Sequence, residues 1–310
     1  MNDAGQPLQL HALSIGSGIP SGSFSAVVHS AFHSALNIRL QSGDSLLTVV
    51  SADEADLPQG IRVKIPVGFT FEQFKVGELV SCDAEYLRLD SLTIDLRGAS
   101  RWKCDLPSLN ADLSNPSVLQ AWKIVWRALN ERQQTAHADI VAEDLIHPTD
   151  DASNPISQRA GDAMRKLLDA ARRHDSTDME SPLRSLIGLG SGLTPGGDDL
   201  LVGFLAGLWC SVQESPERTR FVNALAQELS RLSSRTNDIS RTYLFHAARG
   251  QVSSRLANLA NSICAADPAG RLLAVFDPAV QTGHSSGMDA VTGLLFGLDA
   301  WSAKPVVRRV

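Results

Sequence analysis

The chain has 310 residues, too many for one small core and enough for about two domains. Hydrophobic residues make up 43% and charged residues 20%, a soluble globular balance, and the net charge of −6 without a basic, aromatic-interleaved patch argues against nucleic-acid binding. No charge-free stretch is as long as a membrane span, the apolar run Leu200–Val212 being too short, and the N-terminus has no basic region followed by an apolar one; no signal peptide is read, and a cytoplasmic location without membrane contact is expected.

The glycine-rich segment from Ser14 to Phe24 lacks a lysine and the spacing of a dinucleotide loop, so it reads as a flexible loop. His29 and His33 are four apart but read as solvated positions rather than a metal pair. Leu36, Ile38 and Leu40 alternate with polar residues, as do Ile61, Val63 and Ile65. Leu87 and Leu89, then Leu92, Ile94 and Leu96, flank Asp90-Ser91, the signature of a tight hairpin. Period two with short turns predicts an antiparallel sheet with one buried face, a small barrel or sandwich, with strands ending near Trp102. The first domain is placed at residues 1–110, and Lys103–Pro116, with Asn110, reads as a connection.

Beyond it the period changes to about 3.6. Leu119, Trp122, Trp126 and Leu129 recur at three and four, as do four further apolar sets: Ile156 to Leu168, Phe221 to Leu232, Val252 to Ile263 and Met288 to Leu298. These stripes predict packed helices over residues 117–301. The polar segment His137–Ser153 reads as a surface loop, and residues 302–310 as a frayed tail. The fold class is therefore α+β, a β-rich domain followed by a helical one. Cys82, Cys104, Cys210 and Cys264 are scattered without a paired motif, and no His-Glu-x-x-His occurs, so no metal site is read from these residues.

The helical domain is organised around Ile187–Leu208. A loop with Gly188, Gly190 and Gly192 leads to Thr194, read as an N-cap, and Pro195, read as the first helical residue. After Asp198 and Asp199 the sequence is apolar on nearly every face, as a buried helix is. Two more polar clusters lead into apolar helices, Thr236-Asn237-Asp238-Ile239-Ser240-Arg241 and Gly283-His284-Ser285-Ser286-Gly287. Three such starts, near Thr194, Thr236 and Ser286, are expected to line one site.

Free N–H groups at a helix start favour an anion. Gly190, Ser191, Gly192, Thr194, Gly196 and Gly197 are read as the anion loop, with Thr236, Asn237, Ser240, His284, Ser285 and Ser286 completing the substrate contacts. Arg241 is read as a fork onto phosphate or carboxylate, and Arg249 as a carbonyl cap. Asp198 or Asp199, and in second place Asp289, would accept N–H bonds from an amide or ureido group, so a carbamoyl compound suits the set. Valine at Gly196 or Gly197 is expected to block the anion while sparing the fold. Asp198, Asp199 and Asp238 also admit magnesium, making a magnesium-dependent phosphoryl-handling enzyme one alternative.

At these clusters, Gly190–Asp199, Thr236–Ser240 with Arg249-Gly250, and Gly283–Gly287 with Asp289, the chain resembles the AllH-like family, most strongly over residues 180–300. The resemblance implies a subunit of oxamate carbamoyltransferase, which in allantoin breakdown moves a carbamoyl group between oxalurate and phosphate to give oxamate and carbamoyl phosphate. It also implies FdrA-like and other partner subunits. A non-catalytic assembly or regulatory subunit that binds a metabolite is the other alternative. Asp198, Asp199 and Arg241 are taken as the groups nearest the chemistry.

Overall fold

The computed structural model describes residues 7–43, 45–108, 113–136, 138–146, 154–302 and 306, and they divide into two units between Cys104 and Asp105. Asn110, His137, 147–153 and most of the tail lie outside the described residues.

The first unit is a β-barrel. Its strands are β1 (Leu8–Gly16), β2 (Phe24–Ala31), β3 (Ala35–Leu40), β4 (Leu46–Ser51), β5 (Gly60–Val63), β6 (Leu79–Cys82), β7 (Tyr86–Leu89), β8 (Leu92–Asp95) and β9 (Ser100–Trp102). The order is β5-β4-β3-β2-β6-β7-β8-β1-β9, and β1 pairs back onto β5. Eight strands thus close into a ring, and β9 pairs with β1 beside it. Closure removes both sheet edges, which a sandwich leaves open. The alternating apolar positions point inward: Leu36, Ile38, Ile61, Val63, Leu87, Leu92 and Ile94 are fully buried. Asp90-Ser91 is the two-residue turn between β7 and β8. The sheet is mixed, not purely antiparallel: β1–β8, β1–β9 and β4–β5 run parallel. Alternation reports which face is buried and is blind to strand direction, so only the pairing in three dimensions reveals these parallel pairs.

The segment Ser14–Phe24 is partly strand: Ser14 and Gly16 lie in β1, and the Ser14 hydroxyl donates to Asp56. His29 lies in β2, with Nδ1 3.0 Å from the Ser30 hydroxyl.

The second unit is helical: α1 (Pro116–Thr135), α2 (Ala142–Ile146), α3 (Pro155–Arg173), α4 (Glu180–Leu186), α5 (Gly196–Ser211), α6 (Pro216–Leu232), α7 (Asp238–Ala247), α8 (Ser254–Cys264), α9 (Ala269–Val280) and α10 (Ser286–Asp299). Asn115, Asn154 and Ser215 cap α1, α3 and α6, each followed by proline, the asymmetry expected at helix starts. The surface loop expected over 137–153 contains α2, because Ala142 and Leu145 are buried. Among the described residues no helix is long and apolar enough to cross a membrane.

The centre of this unit is the pair α5 and α10, and small residues let their backbones meet. A Cβ on Gly203 would sit 1.8 Å from the Ala290 carbonyl oxygen, and one on Gly293 2.0 Å from that of Leu200. One turn on, a Cβ at Gly207 would meet Leu294 O at 2.5 Å and one at Gly297 would meet Phe204 O at 2.3 Å. Glycines four apart on both helices form a seam without side chains. Trp122 of α1 is fully buried and donates its indole N–H to Leu295 O at 3.0 Å, tying α10 to the outer layer. The seam sets the starts of α5 and α10 side by side, which positions the candidate site.

Candidate functional site

The loop before α5 needs left-handed backbone at Gly188, Gly190 and Gly192, which glycine adopts without a Cβ clash. The helix then begins at Gly196 with Pro195 as its cap, and no side chain caps it. Thr194 is therefore not the N-cap. Its hydroxyl lies 2.7 Å from that of Ser286 at the start of α10. Asn237 caps α7, accepting from the N–H groups of Ile239 and Ser240 at 3.0 Å each. Its amide also donates to Leu193 O at 3.0 Å, and the Thr236 hydroxyl donates to Asp198 Oδ2. The starts of α5, α7 and α10 are thus joined through the glycine loop by direct hydrogen bonds.

The carboxylates fall into two kinds. Asp198 is satisfied: it accepts the Gly188 N–H at 2.9 Å as well as Thr236. Burial raises its pKa, and these bonds oppose the rise. Its contacts hold the loop to α7. Asp199 and Asp289 differ. Asp199 Oδ2 and both Asp289 oxygens are buried and have no hydrogen-bond partner among the described residues. Asp289 is 0% exposed. Burial first, then the neighbouring Asp139 carboxylate, pushes the Asp289 pKa up to about 8, opposed by the Ile140 N–H and Ser285, neither at hydrogen-bonding geometry. Burial also holds Asp199 well above the usual carboxylate range, against the Ser286 and Thr194 hydroxyls and with Asp289 adding to the rise.

Asp139 belongs to this group and was missed in the sequence, where it sits in a polar segment with only Ile140 and its apolar neighbours hinting at burial. Its β-carbon would lie 3.2 Å from a Cβ on Gly196, and Asp289 Oδ2 2.8 Å from the same point. A Cβ on Gly190 would come 3.2 Å from Asp139 Oδ2 and 2.9 Å from Gly196 N. Gly196 is needed because these carboxylates crowd its α-carbon, not for its backbone angle.

The Gly197 N–H donates to Leu189 O at 2.8 Å, and those of Asp198 and Asp199 to Pro195 O at 2.9 and 3.2 Å. These first-turn donors are consumed inside the protein, leaving Gly196 beside the Asp139 and Asp289 carboxyls. Valine at Gly197 would not spare the fold, since its Cβ would lie 2.2 Å from Leu186 O.

The remaining candidates are dispersed. Ser191, Gly192 and His284 are exposed; Ser285 precedes α10 and makes no side-chain cap. Ser240 is buried on α7 with its hydroxyl unpartnered among the described residues. Arg241 pairs with Asp238 on its own helix, while its Nε is buried and unpartnered among the described residues. Arg249 donates to Phe245 O at 2.7 Å, as a carbonyl cap does. The magnesium set is split: Asp198 holds the loop and Asp238 holds Arg241. Among the described residues no three His, Cys, Asp or Glu side chains are grouped to hold a metal ion.

Residues 11–101 match the model of the AllH family N-terminal domain, and residues 186–298 match that of oxamate carbamoyltransferase subunit AllH. The second match begins two residues before Gly188 and ends within α10, so it spans all three joined helix starts. No solved structure matches the chain.

Proposed function

Because the chain belongs to the AllH family, we propose that it serves as one subunit of a carbamoyltransferase that interconverts oxalurate and phosphate with oxamate and carbamoyl phosphate, alongside an FdrA-like subunit. In this direction a phosphate oxygen bonds to the carbamoyl carbon, the bond from that carbon to the oxamate nitrogen breaks, and the nitrogen takes up a proton. Such a reaction is accelerated chiefly by positioning and by stabilising developing charge.

The observation that carries the reading is the buried Asp289 carboxyl with both oxygens unpartnered among the described residues, next to the unpartnered Asp199 oxygen. Near neutral pH Asp289 is held largely protonated. A neutral carboxyl offers one donor and one acceptor side by side, which complements the C=O and N–H of a carbamoyl or amide group. An anionic ligand would instead meet the neighbouring Asp139 carboxylate. In this reading Asp199 and Asp289 take the carbamoyl end, and the glycine loop, bearing exposed Ser191 to Leu193, is the element that opens for entry.

The test is reconstitution of the chain with its partner subunits and measurement of carbamoyl phosphate formed from oxalurate and phosphate. Asp199→Ala and Asp289→Ala, which remove donor and acceptor together, are expected to assemble normally and lower turnover at least ~100-fold, roughly the loss of one preorganised polar contact in the transition state. Full turnover in both assembled variants would refute the assignment and leave this chain an assembly or regulatory subunit.

A further inference from the structure

An open groove of about 530 Å³ lies outside the carboxylate cluster. Arg159 of α3, Arg184 of α4 and Arg235, in a short 3-10 turn at Ser233–Arg235, line it together with Asp178, Glu180 and the serines of α4. Its size is that of a small-molecule site. Its charges are unequal. Glu180 accepts from Arg184 at 3.3 Å and from Arg231 at 2.8 Å, so its charge is compensated. Arg159 and Arg235 are exposed and have no carboxylate partner among the described residues, leaving Asp178 against two open guanidinium forks.

A locally positive concavity on a chain of net charge −6 concentrates anions. The groove also adjoins the base of the glycine loop. A Cβ on Gly188 would lie 3.0 Å from Arg235 O, and Arg235 directly precedes Thr236, whose hydroxyl holds Asp198. The loop itself has consumed its Gly197, Asp198 and Asp199 N–H donors and presents acids. An oxyanion therefore finds the first-turn donors of the helix start already taken and is drawn to the arginines.

We propose that this groove binds a small oxyanion of the phosphate class, gripped by the forks of Arg159 and Arg235. Planar guanidinium groups bind tetrahedral oxyanions through paired N–H bonds, and two forks from separate elements set the ligand's orientation as well as its affinity. The preference for an oxyanion follows from the groove's charge; the choice of phosphate rests on the carbamoyl-transfer reading.

The experiment is calorimetric titration of inorganic phosphate into the purified full chain at fixed ionic strength, without partner subunits. One saturable site is expected. Arg159→Ala and Arg235→Ala should each weaken it about tenfold, with Arg235→Lys in between, as losing a charge-assisted fork implies. Arg220→Ala, whose side chain pairs with Glu217 on α6, should leave it unchanged. Circular dichroism checks that each variant is folded. Absence of a saturable site overturns the proposal, as does binding indifferent to Arg159 and Arg235 or equally weakened by Arg220→Ala. Loss of binding on Gly196→Ala, with the arginine variants intact, would place the anion at the loop and also overturn it. Saturable binding in a chain whose assembled complex fails to transfer carbamoyl groups would sink the functional reading alone; an active complex whose chain shows no arginine-dependent site would sink the groove alone.

Discussion

Asp289→Asn should make the helical unit more stable at neutral and alkaline pH, by an amount that grows up to about pH 8 and is constant above it. The folded protein holds the Asp289 proton up to about pH 8, whereas an unfolded chain releases it at about 3.9. Between those values the folded state binds the extra proton, so this group's contribution to stability falls as pH rises. The contribution is fully present below about pH 4, and the loss is complete once pH exceeds about 8. The slope is about 1.4 kcal/mol per pH unit, or about 6 kcal/mol over the whole window. Asparagine keeps the size and cannot titrate, so the variant should match wild type near pH 5 to within about 1–2 kcal/mol and surpass it by several kcal/mol at pH 8. Asp139→Asn should narrow the window from above, because it removes the like charge that helps raise Asp289. The assay is urea unfolding at about pH 5, 6, 7 and 8, followed by tryptophan fluorescence. Trp122, Trp126, Trp209 and Trp301 all lie in the helical unit, so the signal reports mainly on it. Parallel stability–pH curves for wild type and Asp289→Asn would refute the burial of an unpartnered carboxyl on which this reasoning stands.

Gly203→Ala should cost about 3 kcal/mol or more, since its Cβ would fall 1.8 Å from Ala290 O and one helix must back away from the other; urea midpoints measure it. Thr194→Val and Ser286→Ala should each cost about 1 kcal/mol, and a double-mutant cycle should show that most of this is shared, because the two hydroxyls bond each other. Additive losses in that cycle would mean the loop is not fastened there.

The switch from period two to period 3.6, the asparagine and serine caps followed by proline, and the clustering of polar residues before three apolar helices are local properties. Each depends on how side chains leave the backbone over a few residues, so the linear order displays them directly. That is why Ile38, Ile94 and the apolar stripe of α10 are legible as core positions from the chain alone. The carboxylates cannot be sorted this way. Asp198 and Asp199 are adjacent, yet one is satisfied by Thr236, 38 residues away, and the other faces Asp289 across the seam. Asp139 joins them from a segment with little local signal, and the parallel pairing of β1 with β8 joins strands about 80 residues apart in the chain. A partner's identity, and whether a donor is already taken, depend on which backbones the glycine seam allows to meet; that is decided by packing in three dimensions, which occupies the first-turn donors of α5 and sets buried carboxyls beside them.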